Sequence, residues 1–205
     1  MTRPKLEFTD APDIPRVTLN PGMFYVTAKT ELITTLLGSC VSVCLQDKEA
    51  GISGMNHFLL ANQRYARNMP ASITEAGRYG IHAMEVLINS MIQKGAKRSR
   101  LRAKAFGGGN VIKAFANDNF NCVGEVNSRF VKEFLETEKI PIDAEDLGGT
   151  DGRVIAFRTD TFKVYRRFIQ KSASTEIEKD EHSLWEKEIK HRDAEKDDGS
   201  VILFN

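Results

Sequence analysis

The spacing of apolar and polar residues changes period several times along this chain, and each change predicts an element. Residues 23–30 and 32–37 are rich in β-branched and aromatic side chains, and Gly38-Ser39 interrupts them before the run Cys40-Val-Ser-Val-Cys-Leu45. Short strands separated by a tight turn fit this pattern. Residues 46–51 form a polar interval of hairpin character, after which 52–60 returns as a strand carrying His57. Ser72-Ile-Thr-Glu75 has capping-box form, and Ile81, Met84, Ile88, Met91 and Ile92 recur at helical spacing until Gly95, which predicts a helix over about 74–94. Residues 101–106 alternate apolar positions with Arg102 and Lys104 and run into Gly107-Gly-Gly-Asn110, so they read as a strand. Val126, Phe130, Phe134 and Leu135 mark a second amphipathic helix ending near Lys139. Three further strands are expected at 140–146, 153–158 and 163–168, the last two joined by a polar turn.

Strands lead, helices intervene and strands close. This order predicts an α+β fold, a single domain of mixed or antiparallel β-sheet layers with packed helices. The domain is expected over 23–171. Residues 1–22 carry four of the six prolines and read as an irregular leader, and 172–205 read as a charged, flexible C-terminal tail. Within that tail Leu184, Trp185 and Ile189 make a weak helical stripe, and Val201-Ile-Leu-Phe204 is an apolar tetrapeptide.

With 205 residues, 41% of them hydrophobic, the chain can bury a substantial core. The formal net charge of +1 gives no global pull toward nucleic acid or an anionic membrane, although it conceals an asymmetry. Residues 172–205 hold ten acidic against five basic residues, and 1–171 hold 24 basic against 18 acidic. No run approaches the ~20 apolar residues of a membrane span, and no apolar signal-peptide core follows Met1. Three cysteines, Cys40, Cys44 and Cys122, argue against a secreted disulfide scaffold. A cytoplasmic protein with reduced thiols is expected.

Cys40 follows a glycine-containing bend that could lift its thiol out of the sheet, and His57 lies on the expected next antiparallel strand. A Cys–His pair is the minimal set for thiol acyl transfer, since the imidazole can take the thiol proton and return it to the leaving group. The blander reading is an inert core cysteine and a hydrogen-bonded bystander histidine. Zinc is the other candidate chemistry. On a strand, however, Cys40 and Cys44 are about 13 Å apart at roughly 3.3 Å per residue, too far for one ion with bonds near about 2.3 Å.

Thr34-Thr-Leu-Leu-Gly-Ser-Cys40-Val-Ser-Val-Cys44, followed by Gly54-Met-Asn-His57-Phe-Leu-Leu60, resembles the signature of the CheD family of bacterial chemoreceptor glutamine deamidases. The resemblance continues through Ala103-Lys-Ala-Phe-Gly-Gly-Gly-Asn110, Val123-Gly-Glu-Val-Asn127, Ile140-Pro-Ile-Asp-Ala-Glu-Asp-Leu-Gly-Gly149 and Gly152-Arg153. It implies a CheD-like cysteine-hydrolase fold and a protein-glutamine glutaminase that converts glutamines of methyl-accepting chemotaxis receptors to glutamates through a cysteine thioester. The family's nucleophile falls on Cys40, its histidine on His57, and its threonine, six residues before the cysteine, on Thr34. Ser39, Gly107, Gly108 and Gly109 are candidates for an oxyanion or substrate loop. Two departures concern loops: Ala61 stands where the family commonly has proline, and Thr161-Phe162 where it has a glycine.

No cofactor or metal is implied. Receptors, and by family likeness a CheC-type phosphatase, are the expected partners, with neither nucleic acid nor membrane insertion. Two alternatives remain open: a non-catalytic chemotaxis adaptor that binds receptors or such a phosphatase, and a thiol hydrolase acting on a small amide. Gly107-Gly-Gly-Asn110 lacks the Gly-Lys-Ser/Thr ending of a phosphate loop and reads as a turn, as does Asp146-Leu-Gly-Gly149. His82, His182 and His191 are expected at the surface, and Cys44 and Cys122 as inert.

Overall fold

The computed structural model describes residues 14–60, 75–111 and 123–169. In chain order they form β1 (Arg16–Thr18), β2 (Phe24–Thr27), β3 (Leu32–Leu37), β4 (Val41–Asp47), β5 (Ile52–Asn56), α1 (Glu75–Gln93), β6 (Arg102–Gly107), α2 (Val123–Thr137), β7 (Ile142–Leu147), β8 (Arg153–Arg158) and β9 (Lys163–Phe168). A 3-10 turn at Arg98–Arg100 leads into β6. The strands divide into a four-stranded sheet, β1-β3-β8-β9, and a five-stranded sheet, β2-β5-β4-β6-β7. β1 runs parallel to β3 and β7 parallel to β6, while the other pairings are antiparallel. The expected α+β domain of mixed sheets with packed helices is what the chain forms.

Alternation along β4 explains the layering. Val41, Val43 and Leu45 join Met84, Leu87, Ile88 and Met91 of α1 and Phe130, Val131 and Phe134 of α2 in one core. Cys40 and Cys44, on the other face, join Ile33 and Leu37 of β3 and Ile155 and Phe157 of β8 in a second. The five-stranded sheet is therefore the middle of three layers, with helices on one side and the smaller sheet on the other. Every residue of β4 is buried, which is why it reads as an uninterrupted run without a charge until Asp47. Each fully buried aliphatic or aromatic side chain contributes about 1.5–3 kcal/mol, so both faces of β4 are strongly held.

The β4–β5 turn is tied by Asp47. Its carboxylate accepts the N–H groups of Glu49 and Ala50, each at 3.1 Å, and of Lys97 at 2.8 Å, and pairs with Arg100 at 2.6 Å. Burial pushes this carboxyl up, but Arg100 and the backbone donors outweigh burial and hold it at about 2.

Three local outcomes differ from expectation. The irregular leader contains β1, because Val17 and Leu19 can pair along the edge of β3 and Pro15, just outside the strand, still accepts from Leu32 N–H at 2.9 Å. β5 stops at Asn56, so His57 lies just beyond it. In the β8–β9 turn, Phe162 takes the left-handed conformation at φ 59°, a site where glycine carries no strain. Its ring packs edge-on against Phe157 with centroids 5.9 Å apart, and Lys104 Nζ stands 4.8 Å over its face. Ala61 and the tail 172–205 lie outside the described residues. No helix among the described residues is long and apolar enough to cross a membrane.

Candidate active site

Cys40 immediately precedes β4 and is fully buried. The expected lifting of its thiol out of the sheet does not occur, because its side chain shares the inter-sheet face with Cys44, Met55 and Leu59. β4 and β5 pair in one register from Asp47↔Ile52 to Cys44↔Met55, and the same register returns in a single bridge, Val41↔Phe58. There Val41 N–H donates to Phe58 O at 2.9 Å and Phe58 N–H to Val41 O at 3.0 Å. Between the two stretches Asn56 interrupts the ladder: its side-chain oxygen accepts Val43 N–H at 2.9 Å, and its carbonyl accepts the Ser42 hydroxyl at 2.5 Å. Cys40 and His57 flank the bridge on opposite strands, each one residue before a bridged partner. Both face away from Val41 and Phe58, so they are diagonal neighbours on one face of the sheet.

His57 is 2% exposed. Its Nδ1 lies 2.7 Å from Thr35 Oγ1, and that hydroxyl donates to Leu19 O at 2.8 Å. Assigning the hydroxyl proton to Leu19 O places the ring proton on Nδ1 and leaves Nε2 as the basic nitrogen. Nε2 is buried with no hydrogen-bond partner among the described residues. Cys40 is thus its face-sharing neighbour rather than an established hydrogen-bond partner, and such contacts commonly tighten only when substrate is bound. Burial lowers the imidazole pKa to about 3, although Leu19 O opposes the shift. The resting histidine is neutral, a base ready to accept a proton, and a preformed thiolate–imidazolium pair is disfavoured.

The residue orienting this histidine is not the one expected. Thr34 Oγ1 lies 3.1 Å from Thr18 Oγ1 and donates to Val17 O at 3.4 Å, on the outer side of β3. Period-two alternation is the cause. Ile33, Thr35 and Leu37 face the middle sheet, whereas Thr34 shares its face with Leu36, which is 40% exposed.

Ser39, Gly107, Gly108 and Gly109 do converge on Cys40, as backbone braces. Gly108 N–H donates to Cys40 O at 2.7 Å and Gly109 N–H to Gly38 O at 2.8 Å, so neither is available to an oxyanion. Gly107 and Gly108 have φ of 109° and 65°, and a Cβ on Gly107 would collide with the Cys40 carbonyl. A buried arginine supports the brace from behind. Arg153 donates to the carbonyls of Asp146 and Gly148 and pairs with Asp146 Oδ1 at 3.1 Å, while Gly148 N–H donates to Gly107 O at 2.9 Å. Of the expected turn at 146–149, Asp146 and Leu147 instead end β7 and only Gly148 and Gly149 leave the strand, each with φ of 79°; Asp146 is held by Arg153 and Arg166.

Of the remaining candidates, Cys44 is buried, and burial pushes its thiol pKa well up despite Lys104, which makes it a poor nucleophile. His82 is exposed on α1. Cys122, His182 and His191 lie outside the described residues. A groove of about 430 Å³ at the end of α2, lined by Leu135, Glu136, Lys139, Ile140, Pro141 and Ile142, contains no nucleophile and none of these site residues.

Thr35, Asn56 and Asn127 lie within the family-like stretches, but nothing in the sequence alone assigns them a role. The parity of Thr35 with Ile33 and Leu37 was the available signal, obscured because Leu36 is apolar too. Asn127, fully buried in α2, donates from Nδ2 to Ser39 O at 2.7 Å and accepts Leu60 N–H on Oδ1 at 2.8 Å. A lone asparagine on the apolar face of an amphipathic helix is the mark such a residue leaves in sequence.

A family model described as "CheD chemotactic sensory transduction" matches residues 59–168, a span that begins just after His57. Whole-chain relatives extend across the site. A Geobacter sulfurreducens protein named "Probable chemoreceptor glutamine deamidase CheD 1" is 51% identical over 92% of this chain and 93% of its own length, too long a stretch to leave out Cys40 or His57. A Shewanella oneidensis protein, "Probable chemoreceptor glutamine deamidase CheD 2", is 50% identical over 75% of this chain and 77% of its own. A Laribacter hongkongensis protein of similar name is 40% identical over 90% of this chain and 85% of its own. On the strength of the family-model match and of relatives that align along nearly all of both chains, the chain belongs to the CheD family.

Proposed function

We propose that this chain is a protein-glutamine deamidase that acts on chemoreceptors in the cytoplasm, with Cys40 as nucleophile, His57 as general base and acid, and Thr35 as the residue that orients the imidazole. The observation that carries the reading is the arrangement of His57: Nδ1 is held as a donor by Thr35, while Nε2 is buried, basic and without a hydrogen-bond partner among the described residues, beside the face of Cys40. A structural histidine in such a site would be expected to use both nitrogens. Membership of a family whose relatives are named chemoreceptor glutamine deamidases supplies the substrate class.

In the proposed reaction the Cys40 thiol proton passes to His57 Nε2 as sulfur bonds to the side-chain carbonyl carbon of a glutamine. Collapse of the tetrahedral adduct breaks the C–N bond, and the imidazolium returns its proton to the departing nitrogen, which leaves as ammonia. Water then attacks the thioester and gives a proton to His57. The C–S bond breaks, the thiol regains that proton, and glutamate is left on the receptor. Because the buried histidine is neutral at rest, charge separation develops only during attack, when substrate dipoles can offset it.

Complete burial of Cys40 is the observation favouring a second reading, a non-catalytic adaptor that binds receptors or a CheC-type phosphatase. Incubating the full chain with a receptor cytoplasmic fragment, and following ammonia release together with the amide-to-acid mass change at each glutamine, separates the two. Conversion that disappears in Cys40→Ala supports the enzyme. Stable binding without conversion supports the adaptor.

A further inference from the structure

The ladder between β4 and the segment after His57 parts at a defined rung, and the cause is a side chain. In the register that pairs Val41 with Phe58, Ser39 faces Leu60 two residues further on. The alternation of an antiparallel ladder makes Ser39 and Leu60 the next hydrogen-bonded pair, so Leu60 N–H would normally reach Ser39 O. It does not. Leu60 N–H goes to Asn127 Oδ1 at 2.8 Å, and Asn127 Nδ2 goes to Ser39 O at 2.7 Å, so the carboxamide of α2 is spliced between the two strands. The rung between this insertion and the Val41–Phe58 bridge is the one that holds Cys40, opposite Leu59.

The helix is placed to make this insertion. Gly124, in the first turn of α2, lies against the braces of the nucleophile turn: a Cβ on Gly124 would come within 2.9 Å of Gly109 O, and one on Gly108 within 2.7 Å of Gly124 O. Only glycines at both positions allow the close approach, and Asn127, nearly one turn later, is thereby brought between the strands. Its side chain is fully buried, so both hydrogen bonds are shielded from competing water. Asn127 has one acceptor and one donor pointed in opposite directions, the requirement for bridging an N–H and a carbonyl.

We infer that Asn127 is a positioning residue for the deamidation proposed above, parting the strands beside Cys40 and thereby setting the offset between the thiol and His57. The inference rests on that functional reading for its kinetic consequence but not for its structural one, and the test has an arm for each.

Two variants of the full chain serve. Asn127→Ala removes both hydrogen bonds, whereas Asn127→Asp keeps the shape and the acceptor for Leu60 N–H but, when ionised, cannot donate to Ser39 O. On a receptor fragment at neutral pH, both should lose roughly ten- to a hundredfold in kcat with KM within about threefold, the scale of a misplaced reacting group. The Asn127→Asp deficit should shrink as pH falls from about 8 towards about 5, because a protonated carboxyl regains the donor. A merely structural role does not produce this recovery. In the substrate-free arm, amide hydrogen exchange at Val41 and Phe58 should speed up roughly tenfold or more in either variant, while Ile155 and Phe157 in β8 stay as protected as in wild type. Should Asn127→Ala fail to fold, Asn127→Asp carries both arms.

Unchanged protection at Val41 and Phe58, or wild-type kcat in a variant, overturns the inference, as does a loss of kcat that only tracks the folded fraction. A wild-type chain that releases no ammonia overturns the proposed function instead, and the exchange arm then decides Asn127 alone.

Discussion

Thr35 holds Nδ1 of His57 at 2.7 Å from the opposite sheet, while its neighbour Thr34 turns its hydroxyl toward Thr18 and away from the imidazole. Two adjacent threonines on β3 thus have unrelated duties, decided by which face of the strand each occupies. Thr35→Val keeps the shape and removes the hydroxyl, so the ring loses its tautomer lock and an Nδ1 proton is left unpaired. Thr35→Val should lower kcat roughly ten- to a hundredfold, part of the about 10²–10⁴-fold that general acid–base catalysis supplies. Thr34→Val should stay within about threefold of wild type in kcat, since its hydroxyl touches only β1. Steady-state ammonia release by the two variants checks the assignment, and a reversed order would return the orienting role to Thr34.

Removal of either of the two proposed reacting groups should be more severe. Cys40→Ala and His57→Ala should each drop turnover by about 10³-fold or more, because nucleophile and base act as a unit. Circular dichroism should show both variants folded. Conversion of receptor glutamines by Cys40→Ala at a measurable fraction of the wild-type rate would exclude the thioester route.

The glycine braces make a graded prediction. Gly51 and Gly107 both have positive φ, 67° and 109°, but a Cβ on Gly51 meets nothing within 4 Å, whereas one on Gly107 runs into the Cys40 carbonyl. Gly51→Ala should cost about 1–2 kcal/mol of backbone strain with activity intact. Gly107→Ala adds overpacking of about 1–3 kcal/mol and shifts the nucleophile turn, so turnover should fall along with stability. Denaturant midpoints and kcat, measured side by side, distinguish the two cases.

Stability should depend on pH through His57. Its pKa is lowered in the folded state, so the unfolded chain binds the proton more readily once pH drops below the ordinary value of 6.5. Folding stability is therefore unaffected by this group above that pH and declines by about 1.4 kcal/mol per pH unit as pH falls from 6.5 toward 3. Asp47, held low at about 2, adds a second decline, confined to the window below its ordinary 3.8. Urea titrations of wild type and His57→Gln at several pH values should converge at neutral pH and diverge as acid is added. Parallel curves would show that His57 is accessible to protons in the folded protein.

Most of the layering was legible because residues with one duty leave a periodic trace. The helical stripe of Met84, Ile88 and Met91 and the alternation in β6 mark elements whose faces differ in exposure, and they fall within a residue or two of expectation. Cys40 and His57 were candidates from a motif, and their diagonal placement follows from a hairpin register that hydrophobic patterning fixes. Burial of the Cys40 thiol was not legible, because Gly38-Ser39 looks alike whether the turn rises from the surface or is capped by a second sheet. Thr35 was hidden by an apolar neighbour on the exposed face, Leu36. Asn127 was hidden by distance, since nothing in the sequence around Ser39 or Leu60 says that a hydrogen-bonding rung there is filled from a helix more than sixty positions away. β1 was obscured by Pro15, a strand breaker in a central position but harmless at an edge.

The burial of β4 on both faces has a consequence for reactivity before the protein has finished folding. In the proposed site the Cys40 thiol lies between two layers, with His57 supplied by one strand, a carbonyl brace by the glycine turn and the Thr35 hydroxyl by the opposite sheet, so the set is complete only when the two sheets are docked. Deamidating power should consequently require the docking of the smaller sheet. A chain in which that sheet is undocked should carry a cysteine without deamidating power.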